Sequence, residues 1–481
     1  MAQRTLTADA VVVGTGAGGG PAAATLAEAG RDVVVLEAGP RLSSGDFTGD
    51  EAEMVARLYA SNMAMDSGLA LYAGACVGGS TVINDALCLR PPPEILAVWR
   101  DAHGLTGFTE AAMAPYVDRV WADVYATPTG PANTSKNARH LARGGERLGW
   151  AHSATPRNVR GCMNLGLCNL GCPLDAKQST LLTYVPRAER AGARVLDRTR
   201  VERIEISGGR VVGVRAVRDG DEVRVRTPLV CLAAGVLGTP ALLARSGVAA
   251  GNGLQVHSSV HVSARFSEPV HSYYGPTMGW AVHELADVNG HDGPGVMVES
   301  VAGQPVISAP TIPGFGAEHE AKMRQLPHLA RSLVVIRDRT RGRIDADGAV
   351  SYPIEQSDIE RLRAGMAGAA RAYLAAGAIE VHLPVHGSMP VASERDLAGI
   401  ADLDLAPSRF ALLYGVHLFG GAAMGGSRAA SVCDEGGRVW DARGLYVTDA
   451  ASLPSNTGVN PQITIMANAL RVATGIAEGA A

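Results

Sequence analysis

An α/β fold, in which a discontinuous Rossmann-type dinucleotide-binding domain carries a second, α+β domain built on an antiparallel sheet, is predicted by three observations in the sequence. A strand, a glycine turn, a helix and a strand ending in an acid fill the stretch from Asp9 to Pro40. Nucleotide-like pattern returns at the far end of the chain, in GLYVTDAASLPS and the helical PQITIMANALRVATGIAEG. Between them, from Phe266 to about Leu405, alternating segments such as TMGWAVHEL, GVMVESVA and SLVVIRDRTRGRIDADGAVSYPI announce an antiparallel sheet with helices of its own.

Taken in order, Ala10 to Val13 form a short apolar strand, and Gly14, Gly16 and Gly19 follow at GxGxxG spacing. Glycines there give a tight turn and let backbone approach a pyrophosphate. Pro21 is tolerated in the first turn of the helix, the alanines up to Gly30 are good helix formers, and the helix N-terminus faces the anion. Asp32 to Leu36 make the next strand. Glu37, 18 residues beyond Gly19, stands where a carboxylate accepts hydrogen bonds from a ribose diol and repels a 2'-phosphate. A second glycine stretch, Tyr72 to Asp85, holds Gly78, Gly79, Ser80 and Thr81. It brings amides against another part of a long cofactor, or forms an ordinary tight turn. From Leu181 a helix-like TYVPRAERAG precedes RVLDRTRVERIEI, the turn GGR and VVGVRAVRDGDEVRVRTPLVCLAAG, a meander that ends in a buried strand closed by Gly235. Tyr273, Tyr274, Met278 and Trp280 form an aromatic and thioether cluster that lines a pocket or fills core.

The 481 residues, 47% hydrophobic with Gly 58 and Pro 26, suffice for two or three cores and exclude long disorder. A net charge of −4 and no Lys/Arg block leave nucleic acid without an attractive field. No run of eighteen apolar residues occurs, and MAQRTLTADA leads straight into the first strand, so the expectation is a cytoplasmic protein without a transmembrane segment. No internal repeat is present, which disfavours a scaffold. Of seven cysteines, Cys162, Cys168 and Cys172 are spaced Cx5Cx3C. Three thiolates with interleaved glycines can wrap an iron–sulfur cluster; reduced structural thiols, or one disulfide and a free thiol, are the competing readings. Zinc wants a fourth ligand, and only Asp175 is close in sequence.

Four landmarks lie in an order and spacing that resemble the glucose-methanol-choline oxidoreductase family over essentially the whole chain. They are GTGAGGG with Glu37, GACVGGSTVIN ending at Asn84, GVLGTPALLARSGV from Gly235 to Val248, and the stretch His417 to Gly425 followed by GVNPQIT. Ala75, where the family's loop usually has a basic residue, and Val236 and Ala249 depart from its pattern. The resemblance implies FAD, with its adenosine end near Gly14, Gly16, Gly19, Glu37 and Val201, and its flavin near Gly78, Gly79, Asn84, Asp449, Ala450, Asn460 and Pro461. It also implies an FAD-binding domain from 1–95, 186–265 and 408–481 and a substrate domain from 96–185 and 266–407.

His417 matches the family's general base, and its ordinary pKa of about 6.5 suits proton abstraction near neutrality. Asn460 matches the second catalytic position, where an amide binds the substrate oxygen. The cysteine spacing resembles the family branch of bacterial sugar dehydrogenases, implying a [3Fe-4S] cluster held by Cys162, Cys168 and Cys172. The function expected is therefore oxidation of an alcohol (sugar, glycoside, steroid or aliphatic) by proton abstraction and hydride transfer to flavin N5. A dehydrogenase, with a protein or quinone electron acceptor, is favoured over an oxidase. A lyase of the hydroxynitrile type and a flavin/iron–sulfur electron-transfer subunit are the alternatives; His417 and Asn460 together argue against the second.

Overall fold

A computed structural model describes residues 3–286 and 294–479. Its nucleotide-binding part is a five-stranded parallel sheet in the spatial order Leu445–Val447, Val230–Leu232, Ala10–Val13, Val33–Leu36, Arg194–Leu196. The three central strands are uninterrupted apolar runs, buried at every position, because helices cover the sheet, whereas the edge strand Arg194–Leu196 opens on an exposed Arg194. The helices Gly19–Glu28 and Gln462–Ala477, from opposite ends of the chain, pack on each other. The meander Thr199–Ser207, Arg210–Arg218, Asp221–Arg226 forms with Gln3–Thr7 a separate four-stranded sheet.

The second layer system is an eleven-stranded, mostly antiparallel sheet. Its spine is the long strand Asn252–Arg265, which pairs with Leu329–Ile336 and Tyr414–Phe419. Helix Gln356–Ala376 packs against the spine and its neighbours, with Gly365 so close to Val296 and Val334 that a Cβ there would meet Val334 Cγ1 at 2.3 Å. Tyr59–Ala64, Leu69–Gly74, the spine and Tyr414–Phe419 all join this sheet, although they lie in stretches assigned to FAD binding by sequence. Their pairings are long-range, and alternation within a strand does not reveal its partner.

One irregularity matters for the site. Val256 pairs with Leu418 and Ser258 with Gly415, so Val416 and His417 together oppose the single residue His257. Such a bulge re-aims side chains on the bulged strand. On the neighbouring strands, Glu299 pairs with Leu333, which pairs in turn with His261, placing these three on one sheet face. Val301, Leu333, Val335, Tyr414, Met278 and Leu87 form a small apolar cluster there. Of the four residues in the aromatic and thioether cluster, only Met278 joins it. Tyr273 and Tyr274 stack edge-on against each other, and Trp280 Nε1 donates to His152 Nδ1 at 3.0 Å. Among the described residues no helix is long and apolar enough to cross a membrane.

Candidate functional site

Gly14 ends its strand at φ +96°, a left-handed conformation that favours glycine, and a Cβ there would lie 2.2 Å from Ala233 O. A Cβ on Gly19 would lie 1.9 Å from Gly14 O. The turn is thus closed by backbone alone. A Cβ on Gly79 would come 3.0 Å from Gly16 Cα, and the Gly78 amide donates to Thr15 Oγ1 at 2.8 Å. Two glycine stretches distant in sequence therefore meet backbone to backbone. No side chain caps helix Gly19–Glu28 at Gly18, which leaves its positive end for an anion.

Glu37 is held at the end of its strand. Its Oε2 accepts from the Thr15 amide (3.0 Å) and hydroxyl (2.6 Å), and Oε1 accepts from the Gly39 amide (2.9 Å). Burial pushes its pKa up while these donors pull it down. Oε1, with one donor, retains acceptor capacity for a ribose hydroxyl. Val201 is buried two residues beyond Thr199, whose amide donates to the Glu37 carbonyl at 2.7 Å. The glycine cradle, the uncapped helix and the acid fit the pyrophosphate and ribose of a dinucleotide.

Farther along, side chains expected near the flavin are spent mostly on the protein itself. Asn84 Nδ2 donates to Gln462 Oε1 at 2.9 Å and its Oδ1 accepts from the Ala86 amide at 3.1 Å. Asn84 thus braces its loop against the helix that Pro461 precedes. Asp449 accepts from the Gly235 amide (2.8 Å), Thr239 Oγ1 (2.6 Å) and the Ala451 amide (2.9 Å), and burial raises its pKa to about 6. A Cβ on Gly18 would lie 2.7 Å from Asp449 Cα, so Asp449 stands beside the N-terminal helix. The Ala450 carbonyl accepts from the Gly420 amide at 3.0 Å, tying this turn to the strand that carries His417.

The two residues expected to be catalytic are brought together: His417 Nε2 lies 3.5 Å from Asn460 Nδ2. Two further groups were invisible to motif reasoning. Glu299 Oε2 lies 3.5 Å from Asn460 Nδ2, and His257 Nδ1 lies 3.1 Å from His417 Nδ1. Asn460 Oδ1 is buried without a partner, a polar atom aimed at nothing in the protein. Burial holds His417 down at about 4, His257 well below its ordinary range, and Glu299 up at about 8. Glu299 is 0% exposed and Asn460 7%, whereas His417 keeps partial accessibility. A signal for Glu299 existed: an acid inside the apolar run of Val296–Ser300 has no bland reason to be buried.

The cysteine turn does not fit the cluster expected of it. Among the described residues no group of three or more His, Cys, Asp or Glu side chains is placed to hold a metal ion. All seven cysteines are free thiols. Two buried cations lie among the three thiols, Arg157 against Cys168 and Cys162, and Lys177 near Cys168 and Cys172. Cys162 Sγ faces Asn164 Oδ1 at 3.7 Å, Cys168 Sγ accepts from buried Arg157 Nη2 at 3.0 Å, and Cys172 lines a small cleft with Phe47 and Lys177. Lys177 fixes the turn instead of a metal, donating from Nζ to Val82 O (2.5 Å), Asn84 O (2.8 Å) and Cys168 O (2.5 Å). Protein purified anaerobically is expected to hold no stoichiometric iron or acid-labile sulfide, and Cys172→Ser to keep the parental flavin content. Near three irons per chain, lost in the variant, would contradict this.

Residues 10–263 match the N-terminal part and residues 338–469 the C-terminal part of GMC oxidoreductases. An uncharacterised GMC-type oxidoreductase of Mycobacterium tuberculosis is 36% identical over 479 residues, covering 97% of this chain and 75% of its own. A long-chain-alcohol oxidase of Arabidopsis thaliana is 29% identical over 509 residues, covering 98% of this chain and 67% of its own. The crystal structure of pyridoxine 4-oxidase from Mesorbium loti shares the fold, with a TM-score of 0.73 at 20% identity over 97% of this chain and 98% of that one.

Proposed function

This chain belongs to the GMC oxidoreductase family, and from that premise we propose that it is an FAD-dependent enzyme that oxidises the alcohol group of a largely apolar substrate to the carbonyl. The observation that carries the reading is the meeting of His417, Asn460 and Glu299, three polar groups within 3.5 Å steps of one another beside an apolar sheet face. Bound FAD supplies the acceptor for the hydride that leaves the carbinol carbon. The chain's own residues do the rest. The Gly14–Gly19 turn and Glu37 hold the nucleotide end, and Asn84 and Gln462 keep the loops around the flavin end in place. His417 and Asn460 hold the alcohol oxygen, while the carboxyl of Glu299 lies behind the same amide. The buried apolar cluster of Val301, Leu333, Val335 and Met278 backs the same sheet face, which together with the long-chain-alcohol oxidase among the relatives supports an apolar substrate body. The sequence's case for a protein or quinone acceptor rests on the cysteine turn. No group of side chains there is placed to hold a metal among the described residues, and oxygen is the acceptor proposed.

The test is anaerobic mixing of the flavoprotein with aliphatic alcohols of increasing chain length, sterols and sugars. Bleaching of the flavin by apolar alcohols, and hydrogen peroxide formed on admitting air, are expected; no bleaching by any of them would favour the lyase. The pH dependence follows from Glu299. Its carboxyl is neutral below about 8 and becomes a carboxylate above, so flavin reduction accelerates as pH rises through that value, and Glu299→Gln flattens the rise. An unchanged profile in the variant would remove Glu299 from the chemistry.

A further inference from the structure

Arg331 is a cation sealed inside the second sheet. It pairs with Ser263 on the strand Leu329–Ile336, two places before Leu333, so its side chain leaves the sheet on the face that carries Leu333, Glu299 and His261. The residue is 0% exposed. Its Nη2 donates to Thr311 Oγ1 at 2.5 Å, and Thr311 passes its own proton to Ser308 O at 2.7 Å. Among the described residues Nε and Nη1 are buried without a partner. Burial pulls the pKa of Arg331 down to about 10, and the groups that pull it back are the phenols of Tyr414 and Tyr373, not a carboxylate. The guanidinium is therefore still charged at neutral pH, and a buried charge without a counter-charge is costly.

The groups around it are unpartnered as well. Ser272 Oγ, Ser308 Oγ and His261 Nδ1 are buried polar atoms without a partner among the described residues. A Cβ on Gly303 would lie 2.4 Å from Ser272 Oγ and 2.9 Å from Arg331 Cδ, which places that hydroxyl beside the arginine. His261 lies within electrostatic reach of Arg331, and its Nε2 is 2.5 Å from the Tyr414 hydroxyl. Tyr414, packed with Leu333 in the apolar cluster, is in reach of both Arg331 and Glu299. Along this face the order is thus Glu299, then Leu333 and Tyr414, then Arg331.

We propose that Arg331 binds a carboxylate carried by the substrate, at the end of its apolar body away from the hydroxyl that His417 and Asn460 hold. The inference rests on the proposed alcohol oxidation and makes its substrate a hydroxy acid. A guanidinium presents parallel N–H donors that match the two oxygens of a carboxylate, and only one of the donors of Arg331 is spent within the protein. Hydroxyls of Ser272 and Ser308 add donors that can turn toward the same oxygens. One sealed cation balances one negative charge, so a phosphate would bring a second charge with nothing to pair it.

The experiment compares, in the flavin-loaded protein, primary alcohols with the ω-hydroxycarboxylates of the same chain length and the methyl esters of those acids. At one chain length the hydroxy acid is expected to reduce the flavin about 10- to 100-fold more efficiently than its alcohol and ester, because two fixed ends admit one span. In Arg331→Met that advantage shrinks to about three-fold or less, through a higher half-saturating concentration and not a lower limiting rate, and Arg331→Lys recovers part of it. Hydroxy acids no better than their esters at any length would overturn the proposal, a comparison that needs no variant to fold. Alkanoates, which have no hydroxyl to oxidise, read the site without turnover: they are expected to raise the Tm of the parental protein and not of Arg331→Met. An equal rise with chloride, or with alkanoate in the variant, would also overturn it. If no alcohol bleaches the flavin while alkanoates protect through Arg331, the oxidation fails and the carboxylate site stands. If alcohols bleach it and hydroxy acids gain nothing, the oxidation stands and the site falls.

Discussion

Gly19→Ala is expected to purify without stoichiometric flavin. The new methyl would lie 1.9 Å from the Gly14 carbonyl oxygen and 3.2 Å from Ala233 Cβ. The first distance is to backbone, which cannot swing aside as a side chain can. The turn must open, and the closed turn is what puts the helix's positive end against the pyrophosphate. Most of the fold should survive, since the sheet strands on either side are buried runs that do not depend on the turn for their pairing. The measurement is the ratio of flavin to protein absorbance after purification with added FAD, read beside far-ultraviolet circular dichroism. A folded variant with parental flavin content would show that the cradle does not bind the cofactor.

His417→Ala should reduce its flavin about 10²- to 10³-fold more slowly with a proven alcohol, the loss typical when a preorganised donor to a developing oxyanion is removed. The side chain is held by His257 behind and faces Asn460 in front, so its geometry is set before substrate arrives. The variant must retain flavin, because none of the cradle's contacts pass through His417. Parental reduction rates in rapid mixing would exclude the residue from the reaction.

The cradle was legible because everything that defines it is local. Gly14, Gly16, Gly19 and Glu37 lie in one stretch whose strand and helix periods can be read directly. His417 and Asn460 were legible only through resemblance, and their company was not. Glu299 and His257 lie on strands whose partners are remote, so no spacing announces that they meet at Asn460 and His417. The surroundings of His417 show the limit: no motif reveals the burial that lowers its pKa or the imidazole of His257 across the bulge. The cysteine turn shows the opposite limit: its spacing suggested a common centre for a metal, but it could not show the buried cations Arg157 and Lys177 that lie among the thiols. The division into domains by stretches of sequence likewise could not see that Leu69–Gly74 and Tyr414–Phe419 are sheet neighbours.

The proton on Glu299 also enters the thermodynamics of the folded chain. Unfolded, the carboxyl would titrate near its ordinary 4.5; folded, it holds its proton until about 8. Across that window the native state binds a proton that the unfolded state has released, so rising pH draws the equilibrium toward unfolding, by up to about 1.4 kcal/mol per pH unit for one fully linked proton. Acidification through the same window restores what was lost. The alkaline conditions that ready this carboxylate for a substrate proton are therefore those that loosen the protein around it, and bound cofactor, by favouring the native state alone, is the natural counterweight.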